Sequence, residues 1–123
     1  MSDTVLVIDD QELVRAVLSR FLARNGYSVA AAGSGEQALD AITWHQPSVV
    51  IADAALLTDD GVLIEHLRRD AADVPIVLMA DSPQAAEQAP IEDVTCLVKP
   101  FDVGVLLDTV VDLVGAPAYS VAD

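Results

Sequence analysis

Four aspartates and one lysine stand at the ends of short apolar runs. Asp9 and Asp10 follow Val5-Leu6-Val7-Ile8, Asp53 follows Val49-Val50-Ile51-Ala52, Asp81 follows Ile76-Val77-Leu78-Met79-Ala80, and Lys99 follows Cys96-Leu97-Val98. Runs of this length, rich in β-branched residues, read as strands buried on both faces. If they are neighbours in one parallel sheet, Asp9, Asp10, Asp53 and Lys99 meet at one edge. Carboxylates gathered there repel one another. At 4 Å and an effective dielectric of 20, each pair costs about 4 kcal/mol. Protonation, the ammonium of Lys99 or a divalent cation can lower that cost, and a hard oxygen site with room for water suits Mg²⁺. With metal and lysine offsetting the charge, Asp53 could attack a phosphoryl group. In the bland alternative the acids cap helices and Lys99 makes a buried salt bridge. The residues alone leave both readings open.

The elements that would position these groups follow in order. A strand from Thr4 to Ile8 leads through the acidic turn Asp9-Asp10-Gln11-Glu12 into a helix. There Leu13, Val14, Val17, Leu18, Phe21 and Leu22 recur at three- and four-residue spacing. Gly26 stops it, since glycine adopts φ > 0 cheaply. Tyr27 to Ala32 is a weaker second strand. Ser34 and Gln37 have capping-box spacing for a helix that runs to about His45 and ends before Pro47. Ser48 to Asp53 is the third strand, Ala54 to Asp60 a loop, and Val62, Leu63, Ile64 and Leu67 carry a third helix. A fourth strand follows Pro75. Ser82 as N-cap with Pro83 at the first helical position opens a short fourth helix that Pro90 stops. Val94 to Val98 is a fifth strand, and Asp102 caps a last helix ending at Gly115.

Five strands alternating with five helices imply an α/β fold, a flavodoxin-like doubly wound parallel sheet. Right-handed crossovers then gather the carboxyl ends of the strands on one edge. That edge carries Asp9, Asp10, Asp53, Ala80, Asp81 and Lys99.

The bulk composition narrows the function. A chain of 123 residues is one domain by length, and 53% hydrophobic residues suffice for a core. A formal net charge of −14 with six basic residues disfavours binding to nucleic acid or anionic membranes, which need clustered Lys and Arg. The single cysteine, Cys96, excludes an internal disulfide and suits a reducing cytoplasm. The N-terminus lacks the basic region of a signal peptide, and no apolar run approaches the ~20 residues of a membrane helix. The expected location is cytoplasmic.

Taken together, Val-Leu-Val-Ile-Asp9-Asp10, Val49-Val50-Ile51-Ala52-Asp53 with Gly61 eight positions on, and Lys99-Pro100-Phe101 resemble the receiver domain of bacterial two-component response regulators. The resemblance covers essentially the whole chain. It implies a five-stranded (βα)5 fold with strand order 2-1-3-4-5, a receiver domain over residues 1–116 and a flexible tail over 117–123. It further implies that Asp53 is the phosphoacceptor and Asp10 a direct Mg²⁺ ligand. Asp9 would hold the metal largely through water, and the backbone carbonyl of Ala55 would complete the protein ligands. Lys99 would pair with the phosphoryl group and precede a cis peptide bond to Pro100. The implied donor is a phosphohistidine on a sensor histidine kinase or histidine phosphotransfer protein, with a downstream protein partner that the residues do not name. Such a receiver is not an enzyme beyond slow Mg²⁺-dependent autophosphorylation and autodephosphorylation.

The departures fall on the output half of that family's switch. The usual Thr or Ser five positions after the proline of the fourth strand is Ala80, and the aromatic residue three before the lysine is Cys96. Leu56-Leu57 replaces Met-Pro, and the segment from Ala80 to Lys99 is about three residues short by that resemblance. The fourth helix is therefore expected to be short or irregular. Ser82 could replace the missing hydroxyl only if its loop shifts. A phosphorylation-independent pseudo-receiver, acting as an interaction module, is the alternative reading. The intact Asp9, Asp10, Asp53 and Lys99 argue against it. A phosphatase of the haloacid-dehalogenase kind needs a second Asp two positions after its nucleophile, where this chain has Gln11. An acidic first turn would repel the phosphate of a flavin. His45 and His66 read as solvated helix residues, Trp44 and Phe101 as packing residues, and Cys96 as a packed strand residue. Arg15, Arg20 and Arg24 form either a solvated face of the first helix or a contact for a kinase-like partner.

Overall fold

The computed structural model describes residues 4–59, 61–88 and 94–117. Five strands, β1 (Thr4–Ile8), β2 (Ser28–Ala32), β3 (Val49–Asp53), β4 (Ile76–Ala80) and β5 (Thr95–Val98), form one sheet in the order β2-β1-β3-β4-β5. Every pairing is parallel. The expected flavodoxin-like topology is therefore present. β3 and β4 are buried along their whole length, which is why they read as unbroken apolar runs rather than alternating ones.

Alternate residues of each strand feed two separate cores, as the period of two demands. Val5, Val7, Val49, Ile51, Val77 and Met79 pack with Leu18 and Leu22 of α1 (Glu12–Arg24) and with Leu106 and Val110 of α6 (Val103–Val114). Leu6, Ile8, Val50, Ala52 and Leu78 pack with Ala38 and Ile42 of α2 (Gly35–His45), Leu57 of α3 (Ala54–Asp59), and Leu63 and Leu67 of α4 (Gly61–Asp70). Two layers of helices thus clamp the sheet and hold its strand ends in register.

The termini follow the anticipated chemistry. Gly26 has φ 98° beyond α1, and Gly115 has φ 83° at the end of α6. Ser34 Oγ accepts from the Gln37 N–H at 3.2 Å, while Gln37 Oε1 accepts from the Gly33 N–H at 2.8 Å. Asp102 accepts from the Gly104 N–H at 2.7 Å. The fourth expected helix is α5 (Pro83–Glu87), five residues long and capped by Ser82 Oγ, which accepts from the Ala85 N–H at 3.1 Å. Its anticipated stop at Pro90 and nearly all of the anticipated tail lie outside the described residues.

Two expectations are corrected. Most of the loop expected over residues 54–60 is helical, forming α3 as a sixth helix. Ala54-Ala55-Leu56-Leu57 are strong helix formers, and burying Leu57 completely in the core favours the helix over an open loop. Trp44 is not a packing residue. It projects from the last turn of α2 with 82% of its surface exposed, because Ile42 already faces the sheet from that turn.

Candidate functional site

The register explains why distant residues meet. Ile8 lies opposite both Ala32 and Ala52, Asp53 opposite Met79, and Ala80 opposite Val98. One step beyond these rungs, each chain leaves the sheet at the same edge. The Asp9 N–H donates to the Ala32 carbonyl at 3.1 Å, and the Lys99 N–H donates to the Ala80 carbonyl at 2.8 Å. These bonds extend the ladders just far enough to orient the functional side chains.

Asp53 is almost fully buried and held at both oxygens. Its Oδ1 accepts from the Ala55 N–H at 2.8 Å, and its Oδ2 accepts from Lys99 Nζ at 2.7 Å. Lys99 Nζ is also 3.9 Å from Asp9 Oδ2 and 3.9 Å from Asp81 Oδ1. Burial by itself would lower the Lys99 ammonium. The hydrogen bond and charge of Asp53, aided by Asp9 and Asp81, outweigh it and hold the lysine above its ordinary value. Lys99 is the sole lysine of the chain. The Lys99–Pro100 bond is cis, in line with the resemblance.

Asp9 is completely buried. Its Oδ1 accepts from the Gln11 N–H at 2.8 Å, whereas its buried Oδ2 has no hydrogen-bond partner among the described residues. Burial raises its pKa above the usual carboxylate value, against the opposing pull of the Gln11 N–H and Lys99. An orphaned buried carboxylate oxygen is costly unless something charged or hydrogen-bonding completes it. Asp10, by contrast, is exposed at the rim. Among the described residues, no three His, Cys, Asp or Glu side chains are grouped so as to hold a metal ion by themselves. An open site with few protein oxygens and room for water is what Mg²⁺ prefers, so the donor set fits that ion.

The ammonium therefore gathers Asp9, Asp53 and Asp81 around itself, with Asp10 outside that cluster rather than inside it. Ala80 is fully buried and presents only a methyl group at this edge. Ser82 Oγ is engaged as the α5 cap and does not take the place of the missing hydroxyl. Cys96 is half-buried, its thiol 4.0 Å from the Ala86 carbonyl, and Phe101 packs against the core on the α1/α6 side. His45 is exposed as expected, while His66 is half-buried and engaged in an interaction. Arg15 departs from its expected roles: its Nη1 donates to the Asp9 main-chain carbonyl at 2.7 Å. The two are six positions apart in sequence, a spacing no helical or turn periodicity signals in advance.

The chain matches the response regulator receiver domain family over residues 5–111. It is 36% identical over 89 residues to the response regulator MprA of Mycobacterium tuberculosis, across 72% of this chain and 39% of that protein. The same figures hold for MprA of Mycobacterium bovis. The chain thus spans about two-fifths of the length of these curated relatives. Among solved structures, the chemotaxis protein CheY4 of Vibrio cholerae superposes with a TM-score of 0.76 at 26% identity, over 92% of this chain and 99% of that one. A response regulator from Burkholderia pseudomallei, whose structure holds a phosphorylated aspartic acid, a calcium ion and citrate, superposes with a TM-score of 0.73 at 31% identity. That match covers 85% of this chain and 64% of that one. With the parallel sheet, the acidic edge and the half-buried lysine–aspartate pair already in place, the chain belongs to the response regulator receiver domain family.

Proposed function

We propose that the chain accepts a phosphoryl group on Asp53 from the phosphohistidine of a sensor histidine kinase or histidine phosphotransfer protein. The observation that carries this reading is the Asp53–Lys99 pair. It sets a carboxylate against a fixed ammonium at 2.7 Å, beside Asp9 Oδ2, which has no hydrogen-bond partner among the described residues. A carboxylate oxygen of Asp53 forms the new bond to phosphorus while the phosphorus–nitrogen bond breaks. The electron pair of that bond returns to the donor imidazole. Lys99 neutralises oxygens of the transferring group from its present position, and the Ala55 N–H holds the carboxylate in orientation. Asp9, Asp10, Asp53 and the Ala55 carbonyl are the groups that would hold Mg²⁺. When bound, that ion supplies the further positive charge that the crowded oxygens require.

The chain acts as a signalling receiver, and its own chemistry is limited to slow self-phosphorylation and hydrolysis. In this reading the receiver domain spans residues 1–116, with α6 ending at Val114. Output passes through altered binding of a protein partner. The buried methyl of Ala80 and the engaged hydroxyl of Ser82 favour a second reading of that output. In it the partner recognises one conformation irrespective of phosphate.

Intact mass after incubation with acetyl phosphate and Mg²⁺ separates the two. One added phosphoryl group on the wild type and none on Asp53→Asn supports the receiver. A folded wild type that stays unlabelled beside a labelled control receiver, and again with a cognate kinase, favours the phosphate-independent module.

A further inference from the structure

At the end of β1, the main-chain carbonyl of Asp9 lies past the last rung shared with β2. The chain of β2 turns away at Gly33 and enters α2 through its Ser34 cap. No further strand N–H follows to meet that carbonyl. The donor is instead Arg15 Nη1 from the first turn of α1, at 2.7 Å. In a chain with 20 acidic residues, this half-buried guanidinium bonds a peptide oxygen.

Gly33 gives an independent sign that the placement is specific. A Cβ at Gly33 would stand 2.7 Å from Arg15 Nη1 and 3.2 Å from its Cζ, inside contact distance. The missing side chain of Gly33 is therefore the space the guanidinium occupies. Gly33 itself is held by its N–H bond to Gln37 Oε1 at 2.8 Å, which fixes it against α2.

We infer that Arg15 is a positioning residue for the acidic turn, acting through the Asp9–Asp10 peptide on the cation-binding oxygens. The inference rests on the receiver reading of the site. Three bonds hold Asp9: its N–H to Ala32, its Oδ1 from Gln11, and its carbonyl from Arg15. The third fixes the plane of the peptide that joins the buried Asp9 to the exposed Asp10. Rotation of that plane re-aims the Asp10 side chain, because its Cα belongs to the same planar unit. Asp10 is exposed, so packing does not position it, and the peptide plane fixes the backbone from which its side chain projects. Partners one shell removed from a metal commonly change its affinity 10- to 100-fold.

The test is Mg²⁺ titration by calorimetry on wild type, Arg15→Met, Gly33→Ala and the double variant, with metal-free melting curves alongside. Arg15→Met removes the donor, whereas Gly33→Ala keeps it and pushes aside only the flexible end of its side chain. Each single variant is expected to bind Mg²⁺ about tenfold more weakly, with little change in metal-free melting. The double variant is expected to be no weaker than either, since both act on one contact. Labelling by acetyl phosphate should be slow at low Mg²⁺ and recover at saturating Mg²⁺. Wild-type affinity in both single variants would overturn the positioning role while leaving the receiver reading intact. A folded wild type with no Mg²⁺ affinity would overturn both. Additive losses in the double variant would show that Arg15 and Gly33 act separately, and would also overturn it.

Discussion

At the scale of single residues, the site sets one ammonium among three carboxylates and hydrogen-bonds it to Asp53, with Asp9 and Asp81 held at 3.9 Å. Asp9 bears the cost. Its pKa is raised above 3.8 chiefly by burial, so the folded state holds the proton more tightly than the unfolded chain does. Stability from this group is complete below about pH 3.8 and falls as pH rises through the elevated folded value. At neutral pH and without metal, ionised Asp9 is a net penalty. Asp9→Asn is expected to stabilise the metal-free protein at pH 7 by on the order of 1 kcal/mol, with the gain vanishing toward pH 4. Urea melts at several pH values check both. For Lys99 the contribution is complete at neutral pH and is lost only as pH climbs past its raised value, above 10.5. Asp81 matters differently. It is 77% exposed and 3.9 Å from Lys99, so it places negative charge at the mouth of the site. Asp81→Ala should speed labelling by acetyl phosphate a few-fold at low salt and leave stability within about 0.5 kcal/mol. Repeating the rates at about 0.5 M NaCl should erase the difference.

At the scale of elements, α5 is the weak piece. It has five residues, no buried side chain, and a cap from Ser82. Too short to be stable alone, it depends on that cap and on contact with β4 and β5. Ser82→Ala should cost about 1 kcal/mol and act locally. Amide exchange at Ala85 and Ala86 should accelerate while the β3 and β4 amides stay protected. Global melting that falls with no local change at α5 would contradict this. The sequence pattern identified α5 correctly because Ser82-Pro83 is a direct local signal. It missed α3 because its cap, Asp53, whose Oδ1 accepts from the Ala55 N–H, is also the last residue of a strand and reads as a site residue rather than as a helix start. The helical conformation of Ala54 to Leu57 depends on burying Leu57 in a core built by other segments. Arg15 was hidden for a related reason. Helical spacing put it on α1, but its partner is a main-chain carbonyl, whose availability depends on where β2 stops.

At the scale of the whole molecule, a net charge of −14 makes the fold repel itself. Monovalent salt should raise the melting temperature gradually by screening. Mg²⁺ should act at far lower concentration, adding about 2.7 kcal/mol at a hundredfold excess over its Kd. Asp10→Asn should abolish this extra effect while keeping the response to NaCl. Thermal melts in the two salts measure it, and an equal response to both ions would argue against a specific cation site.

Strand identity, the parallel sheet and the edge on which Asp9, Asp53, Asp81 and Lys99 lie were determined by the sequence itself, while the strand order came with the family resemblance. Buried parallel strands require continuous apolar runs, and right-handed crossovers allow few arrangements of them. Only the tertiary structure decided which groups touch. It placed Asp81 near Lys99 and Asp10 at the rim, left Asp9 Oδ2 without a hydrogen bond among the described residues, exposed Trp44, and turned Arg15 across Gly33 onto the Asp9 carbonyl. Those outcomes depend on the direction of each side chain and on the competition for a few hydrogen-bond donors at a crowded edge. Apolar periodicity carries no information about either.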